Sequence, residues 1–489
     1  MNGRRKVIWQ GVSPPTDFAA NLRICGLELD LNPSLGLDKR NAVCANARAM
    51  ILAVSNAGDP KLAKARETVF AHAEMHGLSL HVVAPLEIVP DVQSLFADID
   101  RWRQPQILAT EALESALPVI SAAAGPPFDD SVQIAGMAAE LSDEEKILLR
   151  RAFHDAKEVR LSRLDGGASA KVFKAFAVLR DSRVGPQPLP FFVKLDRRPK
   201  IQRELDNYKD CTALFIPFWA RPNLDQARCA FGRDRGILVG NFVELSRSLT
   251  EHVRDGTAVR PIHSLFEDAL RGWRRQAFLD PNNKKHLALA KSFRGAIYGN
   301  LAVQGADRAN AIARTARKFG AERDADELAA AIDGLPAIHH RCSQAHCDLH
   351  ADNVQVRDGQ AILIDFASTA NAPLAMDPAS LDTSLVLHSD ETAQAIWKNF
   401  VDEIYSLAAL QALPAPGQAD APMEYLRDAI REIRKIALAD RLDPYEYATA
   451  VAICLLRHAF RQPRENEQPD RRAYLFAAAD KLVRAIEDR

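Results

Sequence analysis

This chain has no long apolar run, no closely spaced cysteine pair and no charge imbalance. None of its hydrophobic stretches approaches the length of a bilayer-spanning helix, so no membrane association is expected. The seven cysteines are scattered, odd in number and free of any C-x-x-C pair. That excludes a disulfide framework and fits free thiols in a reducing cytoplasm. Net charge is −1, from 63 basic and 64 acidic residues, so nucleic acid is not an expected partner either. Residues 1–6 are basic, but the apolar Val7-Ile8-Trp9 behind them is too short for a signal-peptide core and reads as a strand. No G-x-G-x-x-G occurs, which removes the dinucleotide fingerprint. What is present is ordinary for globular protein: 47% hydrophobic and 26% charged residues over a length of 489, enough for two or three domains. Arginine and alanine are favoured over lysine, as in a GC-rich bacterial source.

One stretch carries the chemistry. His346-Cys347-Asp348-Leu349-His350-Ala351-Asp352-Asn353 is followed by Ala361-Ile362-Leu363-Ile364, an apolar run that reads as a strand, and then by Asp365-Phe366. Phosphoryl transfer needs one carboxylate to orient the attacking hydroxyl, and a second acid plus an amide to hold magnesium against phosphates. Asp348 fits the first role, Asp365 and Asn353 the second. Two other readings compete. In the plain one, a helix end runs into a buried strand and the acids are there by chance; three residue types at these spacings weigh against it. In the other, His346 and His350 join His339, His340, Cys342 and Cys347 around zinc. A zinc-peptidase helix wants Glu directly after its first His, and Cys347 stands there instead.

Upstream, residues 158–164 and 171–180 read as strands joined by the small-residue loop Asp165-Gly166-Gly167-Ala168-Ser169-Ala170. Such a loop lets backbone N–H groups approach phosphates, although a plain glycine hairpin leaves the same trace. Residues 190–195 are a third strand, with Lys194 inside an apolar run. That lysine is either an edge gatekeeper or a phosphate-pairing residue. Residues 201–208 follow at helical spacing and offer Glu204 as its partner; a solvated Glu on an exposed face is the bland alternative. Residues 236–244 read as an inner strand.

The pattern H-x-D-x-x-x-x-N, a strand, then D-F resembles the core of the protein-kinase-like fold. With H-C-D-L-H-A-D-N in place of H-R-D, a Gly-Gly-x-Ser loop, no D-F-G glycine and no long segment ending in A-P-E, it resembles the aminoglycoside and choline phosphotransferases more than protein kinases. The loop and the long helical insert also resemble ternary-complex-associated kinase-like domains of bacterial signalling and conflict proteins. The resemblance covers roughly residues 158–489. It implies ATP and Mg2+ as cofactors and a small-molecule hydroxyl as acceptor, held partly by helices within 246–340. It implies Asp348 as the catalytic base and Asn353 and Asp365 as metal ligands. Gly166, Gly167, Ser169 and Lys194 would meet phosphates, Glu204 would position Lys194, and Asn241 and Val243 would meet adenine through their backbone. His346 and His350 would support the loop. Asp377 and Asp382 would brace it, simple N-capping being the alternative.

Residues 1–125 read as a separate α/β layer: strands at 6–10, 49–54 and 80–83, a helix over 18–27 capped by Asp17, and a helix over 60–76 ended by Gly77. The layout alone resembles a response-regulator receiver. Val54 leads into Ser55-Asn56-Ala57-Gly58 with no Asp before Asp59, so phosphoacceptor chemistry is not expected. A regulatory role, with a protein partner, is. Residues 126–157 are expected as a linker and connecting helix, with Ser142 and Glu145 as a capping box. Residues 158–244 are then the nucleotide lobe, and 245–489 the catalytic and acceptor lobe. The expected fold class is α/β plus α+β: a parallel-sheet α/β domain, then a bilobal protein-kinase-like domain with a mostly helical large lobe. Beside phosphotransfer to a small molecule, one alternative stays open: a nucleotide-sensing signalling protein with weak or no turnover.

Overall fold

The structure, a computed structural model, describes residues 6–31, 44, 47–60, 62, 70–97, 104–122, 125–164, 170–181, 189–293, 306–390, 393–415, 423–460 and 470–489. The chain divides into two compact units, Met1–Leu205 with Asn223–Phe242 and Asp206–Pro222 with Val243–Arg489.

In the first unit, β1 (Lys6–Gly11), β2 (Glu28–Leu31), β3 (Ala47–Ala53), β4 (Ser79–Ala84) and β5 (Gln106–Ala109) form an all-parallel sheet in the order β2-β1-β3-β4-β5. Successive side chains of a strand point to opposite faces, so β3 feeds two cores. Met50 and Leu52 join Ile8 and Val82 on one side; Ile51 and Ala53 join Val7, Trp9 and Val83 on the other. This is a doubly wound order whose ligand crevice lies beyond the C-terminal ends of β1 and β3. The chain places Gly11-Val12-Ser13 and Val54-Ser55-Asn56 there, with no carboxylate among them. A Cβ on Gly11 would lie 1.9 Å from the Ala53 carbonyl oxygen, so only glycine lets the two strand ends meet. The helix expected over 18–27 is shorter, Phe18–Ile24, because Gly26 at φ +74 turns the chain and Leu27 N–H closes on the Leu22 carbonyl. Asp17 stands at its N-cap without a side-chain bond.

A second sheet in the same unit comprises β6 (Gln133–Gly136), β7 (Ala156–Arg163), β8 (Lys171–Leu179), β9 (Leu189–Arg197), β10 (Ala230–Phe231) and β11 (Arg235–Asn241), in the order β10-β11-β9-β8-β7-β6. It is antiparallel except where β6 joins β7. Helix Asp143–Ala152 packs Leu148 and Leu149 onto one face, against Val159, Phe173, Val193 and Ile237. Its start is the expected capping box, Ser142 Oγ accepting from Glu145 N–H while the Glu145 carboxylate accepts from Ser142 N–H. The opposite face carries helix Arg198–Asn207, with Ile201 and Leu205 against Leu238. Arg151, buried, ties the two sheets into one unit. It donates to the carbonyls of Met75 (3.4 Å), Pro126 (3.3 Å) and Phe231 (2.7 Å). Gly77, at φ +63, leaves it room, for a Cβ there would lie 2.1 Å from the guanidinium.

The second unit is mostly helical. Helices Met376–Leu387 and Glu446–Phe460 are buried along their whole length and form its centre. A π turn, Leu265–Ala269, stands between helices Val259–Ser264 and Arg271–Leu279. Short strands fill the rest: β12 (Arg247–Ser248), β13 (Lys285–Leu287), β14 (Ile338–His340), β15 (Cys342–Ala345), β16 (Val354–Arg357), β17 (Gln360–Leu363) and β18 (Ala370–Pro373). Among the described residues no helix is long and apolar enough to cross a membrane.

Candidate functional site

Strand alternation decides where Lys194 goes. Val193 and Leu195 on β9 belong to the core under helix Asp143–Ala152, so Lys194 faces the other way, beside Leu238 on β11. Helix Arg198–Asn207 covers that face and brings Glu204 to it. Lys194 Nζ lies 2.8 Å from Glu204 Oε2, with both side chains about 8% exposed.

In the second unit, two strand pairs bring the sequence motifs together. β15 pairs with β18, and β16 with β17. The 346–353 loop, which joins β15 to β16, therefore runs beside 364–369, which joins β17 to β18. Ile364 N–H donates to the Asn353 carbonyl at 2.9 Å, next to Asp365. His346 Nε2 meets the Ile364 carbonyl at 3.0 Å, which places that ring's proton on Nε2. Phe366 packs edge-on against Trp273 and His346. Asn353, buried, donates its Nδ2 to the Asp348 carbonyl at 2.9 Å. Cys347 and Asp365 adopt φ +59 and +63, a left-handed backbone that non-glycine residues take only when the surroundings hold them there.

Asp377 braces the loop as expected: its carboxylate accepts from His346 N–H at 2.8 Å and from Cys347 N–H at 3.0 Å. Asp382 does not. Five residues further along the helix it points about 140° away. There it accepts from Arg434 Nε (2.8 Å), Tyr405 OH (2.9 Å) and Tyr447 OH (2.8 Å), joining helices instead of holding the loop. A residue outside every motif also reaches the loop. Arg457, on helix Glu446–Phe460, donates Nη1 to the Cys347 carbonyl and Nη2 to Asp348 Oδ1 at 3.2 Å. The sequence signal for it is an arginine inside an apolar helical run.

The other anticipated residues divide as follows. Gly166, Gly167 and Ser169 lie outside the described residues. Asn241 ends β11, where its N–H bonds the Asn223 carbonyl at 3.1 Å; Val243 begins the second unit's long segment, and its carbonyl accepts from Ser246 Oγ at 3.0 Å. His350 lines a small, partly open pocket together with Thr250, Arg254, Asp352, His388 and Ser389. Thr250 Oγ1 donates to Asp352 at 2.7 Å, and the Ser389 hydroxyl is buried with no hydrogen-bond partner among the described residues.

The donor set suits magnesium. Because Asn353 donates through Nδ2, its amide oxygen is turned to another direction, and one carboxylate with one amide oxygen matches a hard cation that keeps waters and phosphates as further ligands. Among the described residues no group of three or more His, Cys, Asp or Glu side chains gathers as metal ligands. The histidines of the zinc alternative have other occupations: His340 pairs with Ser292 Oγ at 2.9 Å, His339 stacks on His286, and His346 is bound as above.

A strand lysine paired with a helix glutamate, and an H-x-D-x-x-x-x-N loop laid beside Asp-Phe, resemble parts that protein-kinase-like folds carry. No family model matches the sequence, and no curated protein matches it. Among solved structures, the amicoumacin kinase hAmiN in complex with AMP-PNP, Ca2+ and Ami is 12% identical at a TM-score of 0.37, with 70% of this chain and 94% of that one covered. A choline kinase from Cryptosporidium parvum Iowa II is 11% identical at 0.34, covering 68% and 89%. A choline/ethanolamine kinase family protein from Mesorhizobium loti is 14% identical at 0.33, covering 67% and 88%. Likenesses this faint leave function to be read from the residues themselves.

Proposed function

We propose that the chain is a Mg2+-ATP-dependent phosphotransferase that moves the γ-phosphoryl group to a hydroxyl of a small molecule. The observation that carries this is the buried Lys194–Glu204 pair. Apolar residues of similar volume usually stabilise such a position as well or better, so a buried ion pair needs a use beyond stability. Here Glu204 holds the ammonium for phosphate oxygens. Asn353 and Asp365 would hold magnesium, which when bound neutralises charge building up on the phosphates. Asp348 orients the acceptor hydroxyl and takes its proton. Gly166, Gly167 and Ser169 would cradle phosphates, and Asn241 and Val243 would meet adenine.

A second reading, nucleotide sensing with little turnover, is favoured by Arg151, which links residues 1–125 to the sheet that carries Lys194. The thermal shift with Mg2+-ATP, measured on the native chain and on Asp365→Ala, tests the shared premise. Binding to the native state raises the transition by mass action. A rise in the native chain alone is expected; no rise in either removes the nucleotide site. Turnover that depends on an added small-molecule alcohol then separates transfer from sensing.

A further inference from the structure

Helix Glu446–Phe460 is apolar or small at nearly every position, yet it carries Arg457 on a side that is buried like the rest. Burial pushes that guanidinium down from its ordinary value, while Cys454, Cys347 and Asp377 pull it back up. Its donors reach the Cys347 carbonyl and Asp348 Oδ1. The pair is lopsided: the Arg457 side chain is 6% exposed and that of Asp348 31%. Around Cys347, at φ +59, both flanking peptides are pinned, the N–H by Asp377 and the C=O by Arg457. The next Cα is that of Asp348.

We propose that Arg457 is the positioning residue for Asp348, fixing one carboxylate oxygen and the preceding carbonyl so that the other oxygen is presented to the acceptor hydroxyl. This rests on the phosphotransferase reading above. A guanidinium forks between two acceptors where an ammonium reaches one, so lysine should replace it only in part.

The test is Mg2+-ATP hydrolysis, with water as acceptor, by the full chain and by Arg457→Met, Arg457→Lys, Asp348→Asn and the Arg457→Met/Asp348→Asn double variant. Arg457→Met should keep the Mg2+-ATP thermal shift and the KM for Mg2+-ATP while kcat falls about 10- to 100-fold, the size expected when a reacting group is misplaced by an ångström or less. Arg457→Lys should lie between. With Asp348→Asn already present, Arg457→Met should lower kcat no further. Native kcat in Arg457→Met, or the same fractional fall in both backgrounds, overturns the proposal. If Arg457→Met does not fold, Arg457→Lys decides, since a kcat equal to native overturns it as well. A native chain that neither gains stability from Mg2+-ATP nor hydrolyses it overturns instead the phosphotransferase reading.

Discussion

Asp377 shows how single residues set the loop. It is buried, and burial pushes its carboxyl up, while His346 and the two N–H donors it accepts from pull it down. An amide offers one acceptor oxygen where the carboxylate offers two. Asp377→Asn should therefore leave one buried N–H of His346 or Cys347 unpaired, and cost about 1–3 kcal/mol of stability. Urea unfolding checks this by the shift in midpoint at constant slope; an unmoved midpoint would show that the N–H groups find other acceptors. At this scale the sequence is legible where chemistry fixes residue type at fixed spacing. Asp348, Asn353 and Asp365 stand in one short stretch, and the Lys194–Glu204 pair follows from a strand and the helix directly after it. Arg457 is not legible by spacing, because it meets Asp348 across 109 residues of chain.

Elements were readable where pattern and burial agree. β3, β8 and β9 announce themselves as apolar runs or alternation, and the helix after Ser142 by its capping box. β2, β5 and β6 do not. Each is four residues long and only partly buried, and it exists because a neighbouring strand offers hydrogen bonds. Helix Met376–Leu387 is announced only by the acids at its start, because burial on all sides leaves it no polar face to set the period. β4 carries a consequence of its own. His81 lies in its interior, buried, with neither ring nitrogen hydrogen-bonded among the described residues, and burial lowers its pKa from 6.5 to about 4. The folded state thus takes up a proton less readily than the unfolded chain. The stability involved is fully present above pH 6.5 and is lost as pH falls from 6.5 towards 4. The loss has an upper bound of about 3 kcal/mol at 1.36 kcal/mol per pKa unit. Thermal unfolding followed between those pH values should show this sensitivity in the native chain and a flatter profile in His81→Leu. Equal slopes would mean that the imidazole titrates normally in the folded state.

For the whole molecule, the question is whether residues 1–125 act on the sheet that carries Lys194 or merely precede it. The sequence divides the two by a Pro- and Gly-containing stretch near 121–128, which reads as a loose linker. The fold answers with one cation: Arg151 reaches Met75 in the first layer, Pro126 in that stretch and Phe231 on β10. No local pattern reveals this, because the three carbonyls that converge on the guanidinium are distant from it in sequence. Arg151→Met keeps the bulk and removes the donors. With charge-assisted bonds worth about 1.5–3 kcal/mol each when well formed, and only the Phe231 contact short, a loss of about 3 kcal/mol is expected. Its character matters more than its size. Amides of β3 and β4 should exchange faster in Arg151→Met while those of β8 and β9 keep their protection, because a coupled unit has been split into two that open independently. If the sensing reading holds, Mg2+-ATP should slow exchange in helix Phe70–Met75 of the native chain and lose that effect in the variant. Exchange that rises equally in both sheets would make Arg151 a core residue of a single cooperative unit, and unchanged exchange in both would leave the first layer tied to the second by other contacts.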